Sequence, residues 1–423
     1  MKVVHLNTYD GNGGAGRASY RLNKALVDAG VQSKMFTYLK FGKNPDINAL
    51  YPNFWGKLYA TLTVLAERYL PRFYEKDLKL PFSLSFFGKD IHHHPAVLDA
   101  DIIHLHWINH GFLNPQNLSK LATLNKPIVW TLHDSNTFTG GCHVRFDCTN
   151  YLNSCGFCPL LKDPESDDIS HKIWDRKNEA YQQLKANYIT PSNWLGAAAK
   201  QSGLLKNYPL AVIPNTLETE IFKPYTKAEA RQKLKLPSDH FLLLTGFMPS
   251  KKDAHKGTSY LIEAIDLWIA ANPQLKDKAT LIVFGNRDSQ SPPPFKMDVI
   301  FLGTINDDVK LAYAYAAADV FLTTSLEDNL PNTVMESLSC GTPVVSFTTG
   351  GIPDMVQHQK NGYLAKYKDA YDFMAGISWV YQHPNKETLN EQARQTVMEN
   401  FSEKVIAAKH VALYENLLDA KRI

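Results

Sequence analysis

Short runs of β-branched and aromatic residues alternate with helical patterns along almost the whole chain, and the series starts over once. Parallel sheets covered by helices on both faces produce that pattern, and few other folds accommodate it. Strands are expected at 2–7, 34–38, 101–107, 128–133, 188–191 and 211–213. After the Pro-containing stretch "IPNTLETEIFKPYTK" they resume at 241–246, 280–284, 299–302, 320–324 and 343–347. The fold class is therefore α/β, with two doubly wound sheets that bind ligands at the carboxyl ends of their strands. A length of 423 residues also exceeds what one core usually serves. The expected division is residues 1–213, residues 214–400 and a C-terminal helix, 401–423. That helix ends a helical stretch, about 386–418, long enough to cross back onto the first domain.

Composition narrows the class. Hydrophobic residues make up 44% of the chain and charged residues 21%, the balance of an ordinary globular protein. A formal net charge of +3 is too small for a dedicated nucleic-acid binder. The opening "MKVVHLNTYDGN" has no apolar signal core, and no stretch reaches the length of a transmembrane helix. A cytoplasmic enzyme is the expectation. Thiols stay reduced there, so the cysteines clustered at 142–158 point to a metal before they point to disulfides.

The first turn, in "VVHLNTYDGNGGAGRASYRL", sets Gly11, Gly13 and Gly16 in GxGxxG spacing between a strand and a helix. A dinucleotide site is nevertheless disfavoured. Such a site needs an Asp or Glu about 20 residues on to hold the ribose, whereas the second strand ends in Tyr38, Leu39 and Lys40. Thr8, Tyr9 and Asp10 also stand between the first strand and Gly11, which widens the loop.

Residues 316–365, "AAADVFLTTSLEDNLPNTVMESLSCGTPVVSFTTGGIPDMVQHQKNGYLA", carry the most specific pattern. A strand ends at Thr324, a polar loop follows, a helix starts near Asn332 or Thr333, and Gly341 with Pro343 stops it. Free amides at the start of that helix suit a phosphate or diphosphate, because N–H groups and the helix dipole both favour negative charge. Glu336, one turn in, is badly placed for a phosphate but well placed to accept two hydrogen bonds from a ribose diol.

This segment resembles the family-4 retaining glycosyltransferases, whose architecture is called GT-B. Their hallmark is an acid, seven residues, a Glu, a helix ending in "CGTPVV", and a "GG" turn. Glu336, the run Cys340 to Val345, and Gly350 with Gly351 match it. "HKGTSYLIEAI" stands where that family opens a helix with Lys-Gly, "FLGTINDD" where it cradles the base, and "GGAGR" at its first glycine turn. Almost the whole chain takes part.

The resemblance implies two Rossmann-like domains facing a central cleft, the first on the acceptor side and the second binding the donor. Glu336 would hold the donor ribose, and amides from Leu330 through Asn332 to Thr333 the diphosphate and sugar. Lys256 would neutralise the diphosphate. Gly303, Thr304 and Ile305 would flank the base, with Gly285 on the nucleotide side. Gly14 and Gly16 would approach the diphosphate, and His133 of "WTLHD" would face the transferred sugar.

Two departures bear on the site. The family commonly has an Arg in a "GR" before the Lys, but this chain reads "GFMPSKKDAHKG". Phe247 replaces the Arg, leaving Lys251, Lys252 or His255 to supply a second positive charge. The first acid is displaced as well: eight residues separate Glu327 from Glu336, and seven separate Asp328 from it. Asp328 is the acid in register, and Pro331 with Asn332 then coincides with the family's own "PN".

The implied reaction moves a sugar from a UDP- or GDP-sugar to a hydroxyl of a glycan or lipid-linked glycan, in cell-surface polysaccharide synthesis. It retains configuration and uses no metal or other cofactor in catalysis. The acceptor hydroxyl attacks from the leaving-group face and its proton passes to the departing phosphate, so positioning and fixed positive potential do the catalysis. A nucleotide-sugar epimerase or hydrolase on the same frame, and a non-catalytic nucleotide-sugar-binding protein, are the alternatives.

Other features stand outside that pattern. Cys142, Cys148, Cys155 and Cys158 are separated by five, six and two residues. The terminal CxxC followed by Pro is a zinc half-site, so a structural zinc is expected, with reduced thiols as the alternative. Residues 51–89 mix aromatics with six Lys or Arg and three Asp or Glu, and Phe54, Leu58, Leu62, Leu65 and Tyr69 recur at helical spacing. That helix either caps the first sheet or rests on a membrane, which would place the enzyme peripherally at the inner face of the plasma membrane. "HHHP" at 92–95 holds three successive histidines that cannot all face one way. Asp99 and Asp101 form a DxD that opens a strand and is better read as its start than as a metal site.

Overall fold

The computed structural model describes residues 1–11, 13–76, 81–246, 256–285 and 295–422. The chain divides into two compact units, Met1–Thr216 with Ile406–Ile423, and Leu217–Val405. The first unit contains β1 (Lys2–Tyr9), α1 (Gly13–Asp28), β2 (Gln32–Leu39), β3 (Ile47–Ala49), α2 (Phe54–Tyr69), α3 (Pro95–Asp99) and β4 (Ile102–Leu105). It continues through α4 (Pro115–Ala122), β5 (Ile128–Thr131), α5 (Ile169–Leu184), β6 (Asn187–Thr190), α6 (Asn193–Gln201) and β7 (Leu210–Val212). The second unit runs α7 (Lys227–Leu234), β8 (Phe241–Thr245), α8 (Thr258–Ala271), β9 (Ala279–Phe284), β10 (Asp298–Gly303), α9 (Asp308–Ala317) and β11 (Val320–Thr323). It then adds α10 (Asn332–Ser339), β12 (Val344–Phe347), β13 (Gly362–Ala365), α11 (Ala370–Gln382) and α12 (Lys386–Asn400), and α13 (Glu403–Asp419) follows.

The strands form two sheets, in the orders β3-β2-β1-β4-β5-β6-β7 and β10-β9-β8-β11-β12-β13. Every strand pairing is parallel. Helices cover both faces of a parallel sheet, so its strands read as continuous apolar runs. Accordingly β9 "ATLIVF" and β12 "VVSF" are buried at every residue. Each order reverses once, between β1 and β4 in the first sheet and between β8 and β11 in the second. Loops leaving the carboxyl ends of such neighbours part to opposite faces and open a crevice, which is where doubly wound sheets bind ligands.

The expected two-sheet α/β fold is what the chain adopts. Two strands, β3 and β13, are additions, and both lie at sheet edges. The helical stretch expected over about 386–418 consists of two helices, α12 and α13. Phe401, buried at the break, turns its carbonyl to the Leu217 amide (3.3 Å), and Glu403 at the start of α13 accepts from the Thr219 amide and hydroxyl at 2.9 and 2.7 Å. Farther along α13, Ile406, Ala407 and Tyr414 pack with Val3, Leu22 and Ile102 in the first unit's core.

Candidate active site

The second unit's switch point lies between β8 and β11. Beyond β11, Thr324 and Ser325 are buried, the loop rises to half-buried Glu327, Asp328 and Asn329, and α10 begins at Asn332. No side chain caps α10, because its N-cap position is Pro331. Its first turn therefore points backbone N–H groups at the carboxyl end of the sheet. Glu336 sits one turn on, almost fully buried, and Tyr315 donates its hydroxyl to Oε2 at 3.0 Å. Gly341, at φ +76°, ends the helix region as expected.

Lys256 meets Asp328 here, Nζ to Oδ2 at 3.1 Å. Two glycines make the meeting possible. Gly257 has φ +61°, and a Cβ there would lie 2.2 Å from the Thr324 carbonyl oxygen, while the Thr324 hydroxyl donates to the Lys256 carbonyl at 3.0 Å. Gly350 has φ +54°, and its Cβ would lie 1.8 Å from the Asp328 carbonyl oxygen, which accepts from the Gly351 amide at 3.1 Å. The Lys-Gly pair thus lays Lys256 over the end of β11, and the "GG" turn clamps the backbone of Asp328.

The remaining second-unit candidates divide by what they expose. The Gly285 amide donates to the Gly303 carbonyl at 2.9 Å, joining the ends of β9 and β10, and Thr304 is exposed beside them. Ile305 and Leu330 turn their side chains into the core, so only their backbones face outward chemistry. Thr333 and Asn332 are half-buried in the first turn of α10. Phe247, Lys251, Lys252 and His255 lie outside the described residues.

In the first unit, Gly14 is exposed in the first turn of α1 and Gly16 is buried. His133 follows β5 and belongs to a stack of imidazoles: its Nε2 is 3.1 Å from His106 Nδ1, and His106 Nε2 is 2.9 Å from His5 Nδ1. Burial pulls the pKa of His133 down to about 4 and that of His5 to about 3, so both are neutral near pH 7. Next to His133, Asp134 Oδ2 accepts from Trp107 Nε1 at 2.7 Å and contacts His143 Nδ1 at 2.6 Å. Burial opposes its charge, but His143, the Asn136 amide and Trp107 hold Asp134 below the usual carboxylate range.

His5, His104 and His106 bring one ligand atom each within 4.8 Å of one another. Their nitrogens are spent on other bonds, however. His104 pairs with the Tyr414 hydroxyl (2.6 Å) and the Thr131 hydroxyl (2.8 Å), and among the described residues only His5 Nε2 of the six nitrogens lacks a partner. The trio is a hydrogen-bonded stack. The other sequence candidates resolve structurally. His92 pairs with Asp90, His94 caps α3 through the Ala96 amide at 3.2 Å, and Asp99 and Asp101 bind the side chain and amide of Lys2 at 2.7 Å each.

Cys142, Cys148, Cys155 and Cys158 line a single small cavity. Burial pushes the Cys155 thiol up to about 12 and the Cys158 thiol up to about 11.

The family model of Glycosyl transferases group 1 matches residues 240–383, which enclose β8 through α11 and the second-unit candidates of this site. That match spans about a third of the chain. Among relatives of this chain is the putative colanic acid biosynthesis glycosyl transferase WcaC of Escherichia coli K12, 24% identical over 373 residues, which cover 84% of this chain and 85% of WcaC. HepE from Anabaena, solved in complex with UDP, aligns over 98% of this chain and 100% of its own at TM-score 0.64 and 16% identity. Sucrose-phosphate synthase from Thermosynechococcus elongatus aligns over 99% and 100% at TM-score 0.62 and 19% identity. Both structures share the GT-B fold with this chain.

Sequence reasoning missed Tyr315, Thr324 and the clamp of Gly350 on Asp328, and, in the first unit, the Trp107–Asp134–His143 cluster. The "GG" turn was a signal for the clamp, but its target lies across a loop. Asp134 and His143 flank motifs that were singled out for other residues.

Proposed function

We propose that this glycosyltransferase moves a hexosyl group, with retention, from a UDP- or GDP-sugar to a hydroxyl of a glycan or lipid-linked glycan in cell-surface polysaccharide synthesis. The observation that carries the reading is the set of three groups at one switch point: Glu336 buried on α10, Lys256 over the strand end, and Asp328 clamped beside it. Glu336 receives the ribose diol. Amides at the start of α10 and Lys256 take the diphosphate, whose β-phosphate leaves with the electron pair of the anomeric C–O bond and accepts the proton of the attacking hydroxyl. The new C–O bond forms on the face the phosphate leaves, so configuration is kept and no protein nucleophile is needed. The name of WcaC, and the UDP and UDP-glucose complexes of HepE, support the polysaccharide setting and a nucleoside-diphosphate donor.

A membrane-borne acceptor is the other part of the proposal. Among the described residues no helix is long and apolar enough to cross a membrane. Helix α2 instead leaves its apolar stripe outward: Trp55 is 75% exposed, and Phe54, Leu58, Leu62, Leu65 and Tyr69 join it, while Ala60, Thr63 and Val64 face the core. Phe73 is 75% exposed just beyond. Lys57, Arg68 and Arg72 flank the stripe, and each cation near an anionic surface adds about 1 kcal/mol. Co-sedimentation with anionic vesicles at low salt, lost at high salt and in a Trp55→Ser/Phe73→Ser double variant, tests this part.

A thermal-shift screen of nucleoside diphosphates tests the donor assignment. UDP or GDP at 100 times its dissociation constant adds about 2.7 kcal/mol of stability, whereas no response to either speaks against a donor site.

A further inference from the structure

The four clustered cysteines surround one cavity with about the room that a single water-sized sphere needs, and none of them is in a disulfide. Backbone donors are already aimed at two of the sulfurs. The Gly140 amide donates to Cys155 Sγ at 3.1 Å, and the Leu160 amide faces the sulfur of Cys158 two residues before it. N–H donation of this kind favours a thiolate over a thiol. The supporting shell is fixed as well: Asp168, at the start of α5, accepts from the Cys158 amide at 2.8 Å and from Ser170 Oγ at 2.6 Å, and Ser170 Oγ accepts from the Gly156 amide at 3.0 Å.

Cations beside the cavity are the second argument. Lys177 on α5 is buried, and its Nζ donates to the Asn136 carbonyl (2.5 Å), Asn136 Oδ1 (3.2 Å) and the Thr139 carbonyl (3.1 Å). Three accepting oxygens suit its ammonium form, while burial pulls its pKa down to about 8. The groups whose negative charge would favour that ammonium most are Cys142 and Cys155, ahead of Asp134. A second cation, Arg145, lines the same cavity, its guanidinium over the rings of Tyr151 (5.1 Å) and Trp194 (4.7 Å). Cations beside the sulfurs favour their thiolate forms. Four thiolates around one divalent cation carry two net negative charges, which a nearby ammonium and guanidinium favour.

We propose that Cys142, Cys148, Cys155 and Cys158 bind one divalent metal ion of the zinc type as a closed tetrathiolate, with Lys177 and Arg145 as its counter-charges. Binding releases four thiol protons and involves no redox change. The ion's role is structural. It fixes the loop that carries His143, next to Cys142, onto Asp134 beside His133. It takes no part in sugar transfer.

Elemental analysis of the full chain, purified without chelator, tests the proposal directly: about one zinc per chain is expected, released in full when a mercurial titrates the thiols. Replacing the metal with cobalt should give the intense near-ultraviolet absorption of thiolate-to-cobalt charge transfer. Cys155→Ser should lose the bound metal, while Cys340→Ser, at a buried thiol of the second unit, should keep it. The wild-type measurements decide the matter even where Cys155→Ser fails to fold. Less than about a tenth of an equivalent of metal in folded protein, or an intact mass four hydrogens light from two disulfides, overturns it.

Discussion

The Lys256 ammonium, just before α8, lies 3.1 Å from Asp328 Oδ2 in the loop after β11. Half-exposed ion pairs contribute little stability by themselves. What holds this one is the backbone around it, with Thr324 bonded to the Lys256 carbonyl and the Gly351 amide to that of Asp328. In the proposed reaction, a bound diphosphate would offer Lys256 a stronger partner and free Asp328 for a hydroxyl of the donor sugar. Asp328→Asn should therefore cut kcat/KM by at least about 10-fold, since misplacing a reacting group by about 1 Å costs on the order of 100-fold. Glu327→Gln should cost much less. Steady-state kinetics of the two variants check this, and a Glu327→Gln enzyme damaged more than Asp328→Asn would show that Glu327 does the work.

Glu336 is assigned to the donor nucleotide, and its buried carboxylate is held by Tyr315 at 3.0 Å. A hydrogen bond to a charged group is worth about 1.5–3 kcal/mol. Glu336→Gln should accordingly weaken nucleoside-diphosphate binding by about 10- to 100-fold, as read by calorimetry. Tyr315→Phe should weaken it less, because it loosens the carboxylate without removing it. Unchanged affinity in Glu336→Gln would remove Glu336 from the nucleotide site.

Gly350 separates positional from conformational effects. Alanine there meets both a positive φ and the Asp328 carbonyl at 1.8 Å, whereas alanine at Gly30, with φ +84° and nothing within 4 Å, meets the positive φ alone. Gly30→Ala should cost about 1 kcal/mol of stability with activity intact. Gly350→Ala should cost more and also lose turnover, because Asp328 must move. Equal effects of the two on unfolding midpoint and activity would contradict the clamp.

Acid should destabilise the first unit before its carboxylates titrate. Burial pulls His5 and His110 down to about 3, and His133 and His410 to about 4. The unfolded chain protonates these residues near pH 6.5, so below that pH it binds more protons than the folded chain does. Their contribution is complete above pH 6.5 and is lost as the pH falls from 6.5 toward 4, at about 1.4 kcal/mol per pH unit for each group fully charged in the unfolded state only. Urea midpoints should fall steadily from pH 7 to pH 5. A flat profile to pH 4.5 would show that these histidines are charged or exposed in the folded protein.

Much of the fold was legible because a parallel sheet buries both faces of its strands. The apolar runs of β1, β9 and β12 stand out for that reason, and so do the turns that follow them. Strands β3, "INA", and β13, "GYLA", are short edge strands with one neighbour each, and their residues carry little of that signal. The break at Phe401 depends on a carbonyl meeting the Leu217 amide, a contact far apart in sequence that no helical periodicity encodes. Within the site, Glu336 and Gly341 could be placed because helix start, turn and stop are local. The grip of Gly350 on Asp328 and the tie of Tyr315 to Glu336 are tertiary, so the sequence named the glycines without naming what they hold.

The central claim is transfer with retention from a nucleoside-diphosphate sugar, and proton NMR of the reaction tests it most directly. Purified enzyme, an α-linked UDP- or GDP-sugar and a pool of lipid-linked and free glycan acceptors should yield free UDP or GDP together with a new α-linked glycoside whose anomeric signal appears in step with nucleotide release. A β-linked product, free sugar or epimerised donor in place of a glycoside, or no turnover of any UDP- or GDP-sugar by protein that binds the nucleotide, would contradict the account.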